Sequence, residues 1–217
     1  MKLYTYQRNS AGERVRIALG LKGLAYEYVS VPGLAEGEYR RINPQGLMPA
    51  LELDNGQVIA QSGAILAFLE ERFPEPPLLP ADPVLRAQSR SFGLFIAAEM
   101  HAVTVSRVRR FVADELGAGP EGEALWLAHW TAEGLARLEA MLAQRSQDFT
   151  FCYGETPGWA DLHLIPALRN ARRFDVALAS YERLLAVEGA CAEIPAFQAA
   201  RPEAQPDFIS SDLSSRA

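Results

Sequence analysis

The stretch from Asn43 to Glu70, NPQGLMPALELDNGQVIAQSGAILAFLE, restricts the fold of this chain more than any other. Two short apolar runs, Pro49–Leu53 and Gln57–Ala60, flank Asp54, Asn55 and Gly56, residues that tolerate the positive φ of a tight hairpin turn. Pro49 is acceptable at the first position of a strand because no ladder bond is required of it there. A helix is predicted to follow, with Ile65, Leu66, Phe68 and Leu69 giving it a broad buried face. Ser62 reads as its N-cap. A capping serine, free N–H groups and the positive end of a helix dipole suit a carboxylate, although these residues leave open whether Ser62 does more than cap.

Upstream, Lys2–Tyr6 reads as a strand and Arg8, Asn9 and Ser10 as the loop after it. Ser10 and Glu13 have the S-x-x-E spacing of a capping box ahead of an apolar stripe through Val15, Ile17, Ala18, Leu19 and Leu21. A second strand over residues 26–31 and a short helix over 34–42, its Arg40 and Arg41 at the favourable C-terminal end, complete a βαβαββα order within residues 1–73. Residues 74–83, PEPPLLPADP, are too rich in proline for helix or central strand and read as a linker. Beyond it, residues 84–217 show helical periodicity with almost no strand signal: long helices over 85–112, 121–145 and 159–173, shorter ones over 180–187 and 193–200, and an extended tail from Arg201. The expected class is therefore α/β plus all-α.

A chain of 217 residues with 49% hydrophobic content can bury a substantial core. Its net charge of −6 argues against nucleic acid as a partner, since phosphate neutralisation supplies most of that affinity. No apolar run approaches the length of a membrane span, and no basic, apolar leader precedes the first strand, so a soluble cytoplasmic protein is expected. Cys152 and Cys191 are far apart and form no CxxC pair, and His101, His129 and His163 lack metal-ligand spacing. Buried apolar cysteines and no metal are expected.

The architecture and motifs together resemble the glutathione transferase superfamily, whose members join a thioredoxin-like βαβαββα domain to a helical domain. Met48-Pro49 and Gln61-Ser62 are the most specific marks. Within the superfamily the chain is similar to the zeta class, the class of maleylacetoacetate and maleylpyruvate isomerases, through Arg14–Leu19 (RVRIAL), Lys22-Gly23, Asn43-Pro44, Pro49–Leu51, Gln61–Ile65, Ala171–Phe174 and Gln205–Asp207. The resemblance implies a cis Pro49, pairing of Met48 backbone with the cysteinyl part of glutathione, and capture of the γ-glutamyl carboxylate by Gln61 and Ser62. It also implies a homodimer.

For chemistry the resemblance implies a glutathione-dependent cis–trans isomerase of a maleyl dicarboxylate in aromatic catabolism. Arg8, Arg107 and Arg173 fall where the zeta isomerases hold the substrate carboxylates, a task suited to a planar guanidinium that stays charged. His101 matches a polar position that contacts glutathione or substrate. The same residues have plainer readings: Arg107, Arg109 and Arg110 as a solvated face, Arg172 and Arg173 as complements to a helix C-terminus, Ser10 as a cap and His101 as structural. Two positions depart from the family pattern. Asn9 stands where the thiolate-stabilising serine is expected, although its NH₂ is still a donor; Gly158 opens the Gly158-Trp159-Ala160-Asp161 capping motif where serine or threonine is usual. A zeta-like transferase or dehalogenase, and a binding or regulatory protein that has lost turnover, are the alternatives.

Overall fold

The computed structural model describes residues 1–35 and 37–209. The backbone separates into two compact units, Met1–Pro76 with the segment from Glu193 onward, and Pro77–Ala192.

In the first unit β1 (Lys2–Thr5), β2 (Glu27–Ser30), β3 (Ala50–Glu52) and β4 (Val58–Ala60) form one sheet in the order β2-β1-β3-β4. β1 and β2 are parallel, as the crossover through α1 (Ser10–Leu21) requires; β3 runs antiparallel to both β1 and β4. After α2 (Glu38–Ile42), the hairpin turns where expected. Gly56 has φ 80°, its N–H donates to the Leu53 carbonyl at 2.9 Å, and Asn55 accepts from the Gln57 N–H at 3.0 Å. α3 (Ser62–Arg72) then packs beside α1. Tyr4 lies opposite Ala50, and Ala50 opposite Ala60. This register brings the end of β1, the start of β3 and the end of β4 to one edge of the sheet, and with them the chain at Arg8–Ser10, Met48–Pro49 and Gln61–Ser62.

The predicted apolar stripe understates α1. Every residue from Ser10 to Leu19 is buried, including Glu13, Arg14 and Arg16. Arg16 is satisfied entirely by carbonyls, those of Tyr6, Gln7 and Ala200, at 2.9–3.4 Å.

The second unit is helical: α4 (Pro83–Leu94), α5 (His101–Thr104), α6 (Ser106–Arg110), α7 (Gly119–Ala143), α8 (Trp159–Arg173) and α9 (Glu182–Ala192), with wider π-type turns at Phe95–Met100 and Phe111–Glu115. The continuous helix expected over 85–112 is broken at Val105, which is extended at φ −68°, ψ 152°. Val103, Thr104 and Val105 are three β-branched residues in a row, and Thr104 turns its hydroxyl back onto the Met100 carbonyl at 2.9 Å. Both features disfavour helix continuation. No helix of the described residues is long and apolar enough to cross a membrane.

The start of α8 explains its unusual cap. Asp161 accepts from the Gly158 N–H at 2.8 Å, as the capping motif predicts, and the Trp159 N–H donates to the Leu78 carbonyl at 2.7 Å. A Cβ on residue 158 would lie 2.5 Å from that carbonyl oxygen. Glycine is required here by the close approach of the Leu78 strand of chain, so serine has no room.

α10 (Pro195–Ala199) returns to the first unit, which differs from the expectation of one helical domain over 84–217. A Cβ at Gly20 of α1 would lie 3.1 Å from the Ala196 Cβ, too tight for ordinary contact, so glycine lets α10 pack close, and Arg16 holds the Ala200 carbonyl. The following chain is tied down as well. Asp207 accepts from the Tyr28 hydroxyl at 2.8 Å, the Ser30 hydroxyl at 2.7 Å and the Gln7 N–H at 3.4 Å. Burial, then the bond to Asp207, pushes the Tyr28 hydroxyl above its ordinary pKa. The extended tail expected from Arg201 is thus anchored through Asp207; residues 210–217 lie outside the described residues.

Candidate functional site

At the sheet edge defined above, the first polar feature is the N-terminus of α1. The N-cap is Asn9, not Ser10: Asn9 is extended at φ −79°, ψ 101°, and its side-chain oxygen accepts from the Gly12 N–H at 2.5 Å. The S-x-x-E spacing is overridden by close packing against β1. A Cβ at Gly12 would sit 2.0 Å from the Thr5 hydroxyl oxygen, so this turn of helix is pressed onto the strand and the chain enters it one residue earlier. The cap fixes the Asn9 carbonyl oxygen as the occupied end of the amide. What the side chain offers outward is its NH₂, a donor. Ser10, now the first helical residue, is buried; Arg8 and Asn9 are half-buried in the loop ahead of it.

Met48-Pro49 is a cis peptide at the entrance to β3. The loop before it is fixed by Asn43, whose NH₂ donates to the Leu47 carbonyl at 2.8 Å and whose oxygen accepts from the Gln45 N–H at 3.2 Å. The Tyr39 hydroxyl also donates to Leu47, and Met48 packs on the cluster of Tyr4, Tyr39 and Ala50. Met48 therefore presents its backbone from a held loop at the same edge as Asn9.

The α3 N-terminus is also displaced by one residue from its predicted position. Gln61, at φ 72°, is the N-cap and its side chain makes no cap bond; it donates instead to the Gln45 side chain at 2.7 Å. Ser62 is the first helical residue. Its hydroxyl oxygen accepts from Arg14 Nη1 at 3.3 Å. Arg14 is 2% exposed and its Nε has no partner among the described residues. Burial lowers its pKa to about 10, with Glu13 opposing, so it remains a cation at neutral pH. Sequence reading passed over Arg14 as part of an amphipathic helix. The usable signal was two arginines, Arg14 and Arg16, inside the otherwise apolar run RVRIAL. An uncapped helix start, a hydroxyl and a buried cation form a donor set that fits an organic carboxylate.

In the second unit His101 opens α5, half-buried, and Arg107 is exposed on α6 with no ion pair among the described residues. The neighbouring arginine is engaged: Arg109 pairs with Glu123 at 3.2 Å, donates to the Ser106 hydroxyl at 3.1 Å and lies 5.8 Å from the Phe174 ring. Because Phe174 follows Arg173, this contact brings α6 beside the end of α8. Arg172 is likewise committed, in a bidentate pair with Glu188 at 2.5 Å, while Arg173 is half-buried in the last turn of α8. Arg109 and Arg172 therefore tie the bundle together, whereas Arg107 stands exposed on α6.

Residues 3–77 match the model of the glutathione S-transferase N-terminal domain. Over 213 residues the chain is 39% identical to a maleylacetoacetate isomerase of Pseudomonas aeruginosa, covering 95% of this chain and 98% of the relative. The fold superposes on the holo structure of a maleylpyruvate isomerase, a bacterial glutathione S-transferase of the zeta class, with TM-score 0.92, 38% identity, and coverage of 96% and 100%. It also superposes on a maleylacetoacetate isomerase of Methylobacterium extorquens AM1 with bound malonate and glutathione, with TM-score 0.91, 34% identity, and coverage of 97% and 100%. The chain belongs to the zeta class of the glutathione S-transferases.

Neither thiol of this zeta-class chain takes part in the site. Cys152 and Cys191 are both buried, and burial pushes each thiol above its ordinary pKa, Asp161 adding to the effect. Since the thiolate is the reactive form, a disulfide reagent such as 5,5′-dithiobis(2-nitrobenzoate) is expected to titrate no thiol in the native protein and 2 in denaturant. Rapid native labelling would contradict the packing described above.

Proposed function

We propose that the chain is a glutathione-dependent cis–trans isomerase acting on a maleyl dicarboxylate, maleylacetoacetate or maleylpyruvate. The observation that carries this reading is the donor set at the start of α3, which fits the carboxylate of a γ-glutamyl group, in a chain that matches isomerases almost end to end. When bound, glutathione supplies a thiolate that adds reversibly to a maleyl double bond and so permits rotation about it.

Residues 1–73 hold glutathione in this reading, and residues beyond the linker, together with Arg8, hold the acid. Gln61 and Ser62 bind the γ-glutamyl carboxylate, Met48 and Pro49 the cysteinyl segment, and Asn9 and Ser10 donate to the sulfur. His101 contacts glutathione or substrate. Arg8, Arg107 and Arg173 bind the substrate carboxylates and stabilise the charge that develops between them. Exposed Arg107, with no ion pair among the described residues, is consistent with this, because such a cation is available to an acid. A cytoplasmic homodimer accompanies the assignment.

The test is spectroscopic. Maleylacetone and maleylpyruvate are incubated with purified protein, with and without glutathione, while the ultraviolet spectrum and free thiol are followed. Conversion that requires glutathione and leaves its concentration unchanged is the expected result. Stoichiometric loss of thiol would make the protein a transferase. Conversion of neither compound would remove the isomerase assignment.

A further inference from the structure

α3 begins with a serine whose hydroxyl is held on one side by a group that can only donate. A guanidinium has five N–H donors and no acceptor, so at 3.3 Å Arg14 Nη1 fixes the Ser62 oxygen as the acceptor in that contact. The single hydroxyl proton must then point elsewhere. A serine inside a helix usually returns it to the carbonyl four residues back. Ser62 cannot, because it is the first residue of α3 and residue 58 lies in β4. Among the described residues no acceptor receives this proton.

Arg14 has few other structural duties. Arg16, two residues on, is consumed by three backbone carbonyls, whereas Arg14 Nε is buried without a partner. A buried cation whose one described hydrogen bond goes to a hydroxyl is an expensive way to hold two helices together, since an apolar side chain of similar volume would pack there without the desolvation cost. The arrangement makes sense if the cation serves to set the direction of the hydroxyl for something that binds there.

We infer that Arg14 is a positioning residue: it orients the Ser62 hydroxyl as a donor, so that Ser62 and the first turn of α3 together capture the γ-glutamyl carboxylate of glutathione. The inference rests on the proposed use of glutathione and assigns to that site a residue that does not touch the ligand. Arg14 acts only through Ser62.

Acting through a single partner has a measurable consequence. Glutathione affinity is measured by titration calorimetry for wild type, Arg14→Met, Ser62→Ala and the double variant, with thermal midpoints recorded for each. A lost hydrogen bond to a charged group weakens binding about tenfold, so each single substitution is expected to do so, while Arg14→Met adds less than about twofold once Ser62 is alanine. A merely structural Arg14 would lower the thermal midpoint and leave affinity alone, or would add its full factor to that of Ser62→Ala; either result overturns the role. If Arg14→Met does not fold, Arg14→Gln replaces it, since it also removes the cation but keeps a polar end in the cavity. Wild-type protein that fails to bind glutathione ends both this inference and the functional reading. Wild-type binding with additive losses ends only the inference.

Discussion

Asn9→Asp is expected to lower glutathione-dependent turnover about 100-fold, the typical loss on removing one preorganised donor, while leaving the thermal midpoint nearly unchanged. The two effects separate because Asn9 uses the two ends of its amide differently. Its oxygen caps α1 through the Gly12 N–H at 2.5 Å, and aspartate caps equally well, with a charge that the helix N-terminus favours. In the proposed function its NH₂ is the donor to the sulfur. Aspartate replaces that donor with a second oxygen and sets a negative charge where a thiolate has to form, which raises the thiol pKa. The ultraviolet absorbance of the bound thiolate against pH reports that shift directly. Asn9→Ser provides the control, since it retains both an acceptor for the cap and an O–H donor, and should keep most of the activity. Full activity in Asn9→Asp would transfer the sulfur contact to Ser10. Asn9→Ala, by contrast, would remove cap and donor together and decide nothing.

That Asn9 could be tested this way was not apparent from the sequence. The S-x-x-E spacing named Ser10 as the cap, and asparagine and serine have nearly equal cap preference. What settles the helix start is Gly12 pressed against Thr5 of β1, a tertiary contact with no local signal. Ser62 was displaced by one residue for a similar reason: the true cap, Gln61, adopts a positive φ that a glutamine rarely takes and that no pattern announces. By contrast, the hairpin at Gly56 and the bounds of α8 followed from turn chemistry and capping residues that sit next to each other in the chain. The break at Val105 lies between these cases. Its cause, a β-branched run with a back-bonding threonine, is local and was available in the sequence, but periodicity over a long window averaged it away. Arg14 was hidden because helical patterning assumes a solvent face, and α1 is covered along nearly its whole length.

Asp161→Ala is expected to destabilise the second unit by about 2–6 kcal/mol, because it leaves two buried N–H groups unpaired at about 1–3 kcal/mol each. The carboxylate is 2% exposed; one oxygen accepts from the Gly158 N–H at 2.8 Å and the other from the Cys152 N–H at 2.9 Å. It therefore joins the start of α8 to the Cys152 segment as well as capping the helix. In a chain of this size the thermal midpoint should fall by about 10 °C, followed by near-ultraviolet circular dichroism. A fall of only a degree or two would mean that water or a neighbouring group replaces both acceptors. Asp161→Asn separates charge from geometry: the amide oxygen can still take one N–H, but the NH₂ meets the other as donor against donor. The pH dependence of the difference between wild type and Asp161→Asn then isolates the ionisation. Burial raises the Asp161 pKa, and the bonds from Cys152 and Gly158 oppose it without cancelling it. The folded protein therefore holds this proton more readily than the unfolded chain. Its contribution is fully present below the unfolded carboxyl pKa and is lost as pH rises through the higher folded value. Wild type should accordingly lose stability relative to Asp161→Asn across that window and show a constant difference above it. A rise in relative stability over the same window would mean that the two N–H groups outweigh desolvation, and that Asp161 is held as a stabilised anion at the helix N-terminus.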